Sequence, residues 1–295
     1  MQPSEPGRSA PGATLAGMVV SFADRFAAAR RAAGPLVLGA DPHAEVLTGW
    51  GLTDDPDGLE RFTDIVIAAA AGTVGLLKPQ SAFYERHGWR GIRALSRLVA
   101  EARSAGLLVI LDIKRGDVGS TSDAYAEAYL GQDAPVRADA VTVHPYLGLA
   151  ALGAFTRRAQ ASGGCVLVVV RSSNPEGRAV QSAAAGRGLT VDQAVLAGIG
   201  ELNARLAPGG LGPVGAVVGP AAVDPPLDLA AAGGLLLAPG IGAQGATAAH
   251  VAATFAACPD RVMPSASRSL LAAGPDTGAL GEAASRLNEE LSALL

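Results

Sequence analysis

Two aspartates and a lysine, spaced Asp112-x-Lys114-x-x-Asp117, close the apolar run 107–113. The run is rich in aliphatic and β-branched residues and reads as a strand, and Gly116 frees the backbone to turn before Asp117. Alternate residues of a strand share a face, so Asp112 and Lys114 are expected to point the same way. An ammonium held between carboxylates stays protonated, because nearby opposite charge favours its charged form. Such a lysine is a proton donor of fixed position rather than a nucleophile. Lys78 and Lys114 are the only lysines, and the other 21 of the 23 basic residues are arginine. A surface cation drifts from lysine to arginine at little cost. A lysine that must release a proton cannot, because a guanidinium is effectively never deprotonated in a protein. Both lysines are therefore read as functional, not as halves of surface ion pairs.

A second constellation suits an anion. The loop Pro239-Gly240-Ile241-Gly242-Ala243-Gln244-Gly245 is rich in glycine and leads into a helical pattern, so its backbone N–H groups can face a phosphate. The next apolar run ends in Ser265-Ala266-Ser267-Arg268, which supplies a guanidinium able to fork onto phosphate oxygens. Arg171-Ser172-Ser173-Asn174-Pro175 reads by default as an ordinary turn. His43 and His144 have no metal-ligand partners at useful spacing, and neither a Gly-x-Ser-x-Gly elbow nor a Walker loop is present. Cofactor-free chemistry on a phosphorylated small molecule is what remains.

The elements that must position these residues follow from apolar patterning. Strand-like runs at 36–41, 74–78, 107–114, 140–144, 166–172, 214–219, 235–239 and 262–266 alternate with alanine-rich helical segments at 59–71, 92–105, 122–130, 147–161, 191–206, 247–257 and 279–294. None of the eight runs shows polar alternation, which indicates a parallel sheet covered on both faces. Eight such units in 295 residues fit a closed (β/α)₈ (TIM) barrel, an α/β fold, better than an open sheet. Polar residues recur at the run ends: Asp41, Lys78, Asp112 with Lys114, His144, Ser173, Gln244 and Arg268. In a barrel those ends form one mouth. A single barrel domain is expected over 15–295, with residues 1–14, rich in Pro, Gly and Ser, as a disordered extension and Met18 as a possible true start. A helix should begin near Phe22 and stop at Gly34.

Apolar residues make up 49% of the chain, ample for one sizeable core, and the net charge of −4 gives no reason to expect nucleic acid or an anionic membrane as partner. Two distant cysteines, Cys165 and Cys258, suggest neither a disulfide framework nor a CxxC metal site. With no signal-peptide pattern and no membrane-length apolar run, the expected location is the cytoplasm.

The motifs resemble orotidine 5′-phosphate decarboxylase in its longer bacterial form, and the resemblance covers nearly all of 36–295. Asp112-Ile113-Lys114-Arg115-Gly116-Asp117-Val118-Gly119-Ser120-Thr121 is similar to the signature of that branch. Leu38–His43, Lys78–Glu85, Thr142–Gly148, Arg171–Pro175 and Pro239–Gly245 follow in order, with mild departures at Ala40, Val118 and Met263-Pro264. The resemblance implies that Lys114 protonates C6 of the pyrimidine as carbon dioxide leaves, with Asp112 against the substrate carboxylate. It implies that Asp117 holds the lysine and, with Thr121, reaches a partner subunit's site in a homodimer. It further implies ribose binding by Asp41 and Lys78, and reading of the pyrimidine amide edge by Ser173. Gln244 would bridge base and phosphate, with Gly245 in the same loop, and Arg268 would hold the phosphate beside the Ser267 backbone. No cofactor or metal is implied.

Three other readings compete. A metal-dependent sugar-phosphate decarboxylase would need a further carboxylate at a neighbouring strand end, where Lys78 stands instead. A Schiff-base aldolase would need a partly neutral lysine, which flanking aspartates oppose. A barrel that senses phosphate without turnover would have no use for acids around a lysine.

Overall fold

The computed structural model describes residues 19–220, 225–243 and 245–295. Gln244, Met18 and the expected N-terminal extension lie outside these described residues. Eight parallel strands form a closed barrel: β1 (Val37–Ala40), β2 (Leu76–Pro79), β3 (Leu108–Arg115), β4 (Ala140–Val143), β5 (Cys165–Arg171), β6 (Val214–Val218), β7 (Leu236–Ile241) and β8 (Val262–Ala266). Each strand pairs with its sequence neighbour, and β8 closes on β1 through Val37 opposite Ser265. The (β/α)₈ barrel expected from the sequence is the fold of the chain.

Apolar residues fall into two layers because successive strand side chains face opposite ways. One layer, with Leu38, Leu77, Val109, Val141 and Val166, packs outward against the surrounding helices. The other, with Val37, Leu76, Ile110, Ala140, Leu167, Val217, Leu237 and Met263, fills the barrel interior. Helix starts carry their own signals. Asp55 accepts the Gly58 N–H ahead of helix Pro56–Ala70, Thr190 and Gln193 form a capping box before Val191–Leu206, and Asp276 accepts from Ala279 before Thr277–Leu294.

Helix Phe22–Ala33 begins with Ser21 accepting the Asp24 N–H and ends at Gly34, in the left-handed region at φ 73°. Its Phe22 and Phe26 join the interior cluster, so this helix closes one end of the barrel. Arg25 fastens it there, pairing with the buried Asp139 and donating to the Gly163 carbonyl at 2.9 Å. Asp139 also pairs with Arg103 and accepts the Val109 N–H at 2.9 Å.

Two features depart from the expected pattern. The segment expected as one helix over 147–161 is a 3₁₀ turn, Leu149–Leu152, followed by helix Gly153–Ser162. A short exposed hairpin, Ala184–Gly186 with Leu189–Thr190, follows β5 and was not anticipated. Cys165 and Cys258 are buried and unpaired. Among the described residues no helix is long and apolar enough to cross a membrane.

Candidate active site

The interior columns turn polar toward the strand C-terminal ends. Two residues beyond Leu76 comes Lys78, two beyond Ile110 comes Asp112, and two beyond Ala140 comes Thr142. Two beyond Met263 comes Ser265. Lys78, Asp112 and Ser265, with Asp41 just past β1, Lys114, Ser173, Ser267 and Arg268, surround a cavity of about 270 Å³, and Thr142 stands behind Asp112 and Lys114. Residues spread over most of the chain thus converge at the end of the barrel opposite the Phe22 plug, as the fold class leads one to expect.

At the centre sits Asp112, flanked by both lysines of the protein. Lys78 Nζ lies 3.1 Å from Asp112 Oδ2 and 3.8 Å from Asp41 Oδ1, and Lys114 Nζ lies 2.5 Å from Asp112 Oδ1. Thr142 Oγ1 donates to that same Oδ1 at 2.7 Å. Burial alone would raise the Asp112 carboxyl, but Lys78, Lys114 and the Thr142 hydroxyl together hold it well below the usual carboxylate range. Burial likewise opposes charge on Lys78, yet Asp41 and Asp112 outweigh it and raise the ammonium above its ordinary value. Both groups are charged at neutral pH. His144 is pushed down by burial and then by Lys114, so its imidazole is neutral there.

Lys114 does not continue a regular strand. Leu111 is opposite Val141, but Arg115 is opposite Val143, so β3 advances four residues while β4 advances two. Within this bulge Lys114 adopts φ 43°, a left-handed conformation that a side chain with a Cβ disfavours. Its backbone N–H donates to Thr142 Oγ1 at 3.0 Å. The lysine and Asp112 meet as expected, though through a bulge and not through simple alternation.

The anion-binding candidates stand at the next strand ends. Pro239, Gly240, Ile241 and Ala243 line the cavity with Ser267 and Arg268. Gly242 is at φ 78°, and a Cβ there would lie 2.6 Å from Ser269 Oγ, so both conformation and space call for glycine. Gly39 in β1 is required by space alone, because a Cβ would come within 2.4 Å of Ser267 Cβ. Gly245 does not line the cavity. Ser173 does, and its neighbour Ser172 is gripped by Gln181, whose Oε1 accepts the Ser172 N–H at 3.1 Å while its Nε2 donates to Ser172 Oγ at 2.8 Å.

Asp117 and Thr121 stand outside this group. The Asp117 carboxylate accepts the Val118 N–H at 2.8 Å, and Thr121 is exposed in the first turn of helix Gly119–Tyr129. Among the described residues Lys114 ion-pairs with Asp112 alone, so within this chain the motif is not a lysine between two acids but an acid between two lysines. The chain turns away at Gly116, which packs against the His144 carbonyl, before Asp117 is reached. Sequence reasoning missed Thr142, Gln80, His43 and Phe83 as parts of the site. The last three line the cavity, with the His43 and Phe83 rings 4.0 Å apart. Thr142 reads as an ordinary strand former, and nothing in its spacing singles it out.

Comparison with known proteins agrees with the site's composition. Residues 34–283 match the model of the orotidine 5′-phosphate decarboxylase / HUMPS family. The chain is 50% identical over 275 residues to the orotidine 5′-phosphate decarboxylase of Salinispora arenicola, covering 93% of this chain and 98% of that one. A crystal structure from Streptomyces avermitilis, itself only provisionally assigned as an orotidine 5′-phosphate decarboxylase, superposes with a TM-score of 0.90 at 46% identity, over 96% of this chain and 99% of that one. The Leishmania donovani OMP decarboxylase structure gives a TM-score of 0.72 at 27% identity, over 93% and 98% of the two chains. The match over 34–283 and the relatives at 50% identity along nearly their whole length show that this chain belongs to the orotidine 5′-phosphate decarboxylase / HUMPS family.

Proposed function

We propose that this protein decarboxylates orotidine 5′-monophosphate to uridine 5′-monophosphate without a cofactor, the last step of pyrimidine nucleotide synthesis. One observation carries the reading: a buried, ionised Asp112 with Lys78 on one oxygen and Lys114 on the other. The bond from C6 to the carboxylate breaks, the electron pair stays on C6, and Lys114 Nζ delivers a proton there. Asp112 faces the departing carboxylate, a like-charge contact relieved as carbon dioxide leaves. A carbanion with no electron sink must be stabilised by fixed charges in a water-poor site, and a row already ionised and hydrogen-bonded does not have to reorganise during reaction. The two carboxylates that a divalent ion would bridge, Asp41 and Asp112, are already bridged by the Lys78 ammonium.

Asp41 and Lys78 bind the ribose hydroxyls, and Ser173 reads the pyrimidine amide edge. Arg268, the Ser267 backbone, Gln244 and Gly245 take the phosphate. Asp117 and Thr121 serve a second copy's site in a homodimer. In support, both lie off the cavity of their own chain, and Val118, which follows Asp117 directly, is a large apolar side chain left exposed. Location in the cytoplasm accords with a nucleotide substrate.

The test follows the loss of orotidine 5′-monophosphate ultraviolet absorbance, with and without EDTA, for wild type and Lys114→Ala. Turnover insensitive to EDTA and abolished in Lys114→Ala is expected. Absence of wild-type turnover would overturn the proposal in favour of metal-dependent decarboxylation of a β-keto acid phosphate, and turnover that needs a divalent ion would overturn its cofactor-free mechanism.

A further inference from the structure

The Thr142 side chain is buried in the barrel interior, two residues above Ala140. Its hydroxyl does two things at once. It accepts the backbone N–H of Lys114 at 3.0 Å and donates its own hydrogen to Asp112 Oδ1 at 2.7 Å. That same oxygen carries the Lys114 ammonium. The contacts form a closed ring: Lys114 Nζ, Asp112 Oδ1, Thr142 Oγ1, Lys114 N.

Both ends of one lysine are therefore tied through a single hydroxyl. The backbone end needs it, because Lys114 sits in the left-handed region where a non-glycine residue persists only if its surroundings hold it. The side-chain end needs it as well. Thr142 spends its one donor on Asp112 Oδ1, which orients the carboxylate so that Oδ2 meets Lys78 and Oδ1 meets Lys114. β4 is regular at this point, with Thr142 opposite Leu167 of β5, so the hydroxyl is offered from a rigid strand and not from a loop.

We propose that Thr142 is the positioning residue of the proton donor, fixing the left-handed backbone of Lys114 and the orientation of Asp112 through one hydroxyl. This rests on the assignment of Lys114 as proton donor. Thr142 touches no reacting atom, so its removal should lower kcat without weakening substrate binding. Displacement of a reacting group by about 1 Å lowers rate by roughly 100-fold, which sets the expected scale.

Thr142→Val keeps the branched shape and removes the hydroxyl, and Thr142→Ser restores it. For Thr142→Val we expect kcat to fall by about 100-fold with KM little changed. Deuterium exchange at C6 of uridine 5′-monophosphate should fall in parallel, and Thr142→Ser should recover most of both. A purely structural role would lower the melting temperature while leaving kcat per folded molecule intact, and that result would overturn the proposal. Equal losses in the serine and valine variants would also overturn it, since the hydroxyl would then not be the cause. Hydrogen exchange of the Lys114 amide tests the ring without any substrate: protected in wild type and Thr142→Ser, fast in Thr142→Val. If wild type fails to turn over the substrate while this amide pattern holds, the functional assignment fails and the ring stands. If the valine variant keeps the amide protected, the ring itself is wrong.

Discussion

Lys114 combines a charge that does chemistry with a backbone that a lysine does not favour. A left-handed conformation costs a residue with a Cβ about 1–2 kcal/mol, and glycine almost nothing. The usual ranking of small residues should invert here. Lys114→Gly and Lys114→Ala both remove the ammonium and should both be inactive, yet the glycine variant should be the more stable by about 1 kcal/mol. Urea midpoints of the two variants check this, and an alanine variant equal to or more stable than glycine would show that the strain is absent. The importance of this lysine was legible in the sequence through scarcity, because an arginine-rich chain kept only two lysines. What spacing could not convey was the partner. Asp117 is nearer than Thr142 along the chain, but Thr142 arrives from the next strand, and only the fold makes that neighbour visible.

At the scale of elements, the eight strands were legible because burial on both faces leaves continuous apolar runs, too short for an ordinary helix and alternating with longer alanine-rich segments. The exposed hairpin after β5 escaped for the opposite reason, since a segment such as Ala184-Ala185-Gly186 carries neither alternation nor β-branched residues. The bulge in β3 escaped because its extra residues look like more strand. Close approach between elements is where small changes should be felt. In Gly39→Ala the new methyl would press on Ser267 Cβ and separate β1 from the end of β8. Overpacking of this kind costs about 1–3 kcal/mol, and because Ser267 and Arg268 carry the phosphate in the proposed function, KM should rise while the barrel still forms. Steady-state kinetics with a circular dichroism spectrum would test it. An unchanged KM would separate Ser267 from substrate binding.

On the scale of the whole molecule, substrate binding far from the reacting carbon should help to hold the charged row in place. Arg268→Ala is expected to lower kcat/KM by several orders of magnitude, with added phosphite partly rescuing a substrate that lacks its phosphate. A phosphate-free substrate reacting as fast as the parent would sink that coupling. Acid should act on the entire fold. His43, His87 and His144 are each held below the ordinary value of 6.5, by burial first. As pH falls through that value the unfolded chain takes up protons before the folded one, so stability declines. Asp112 and Glu85 are held low in spite of burial, so their contribution is present above the unfolded carboxylate range and is lost as pH falls through their depressed folded values. Melting temperature should drop modestly from pH 7.5 to 5.5 and steeply below about 4. A flat profile across the first interval would mean that the histidines titrate normally.

The two lysines differ in one further respect. The Lys78 side chain is only 7% accessible and the Lys114 side chain 39%, and apart from the chain's α-amino group they are its only primary amines. An amine-selective acylating reagent at mild dose should therefore place a single side-chain mark on the folded protein, at Lys114. Intact-mass counting of that mark, with and without a nucleotide competitor, would report occupancy of the barrel mouth directly, with no engineered tag and no chromophore.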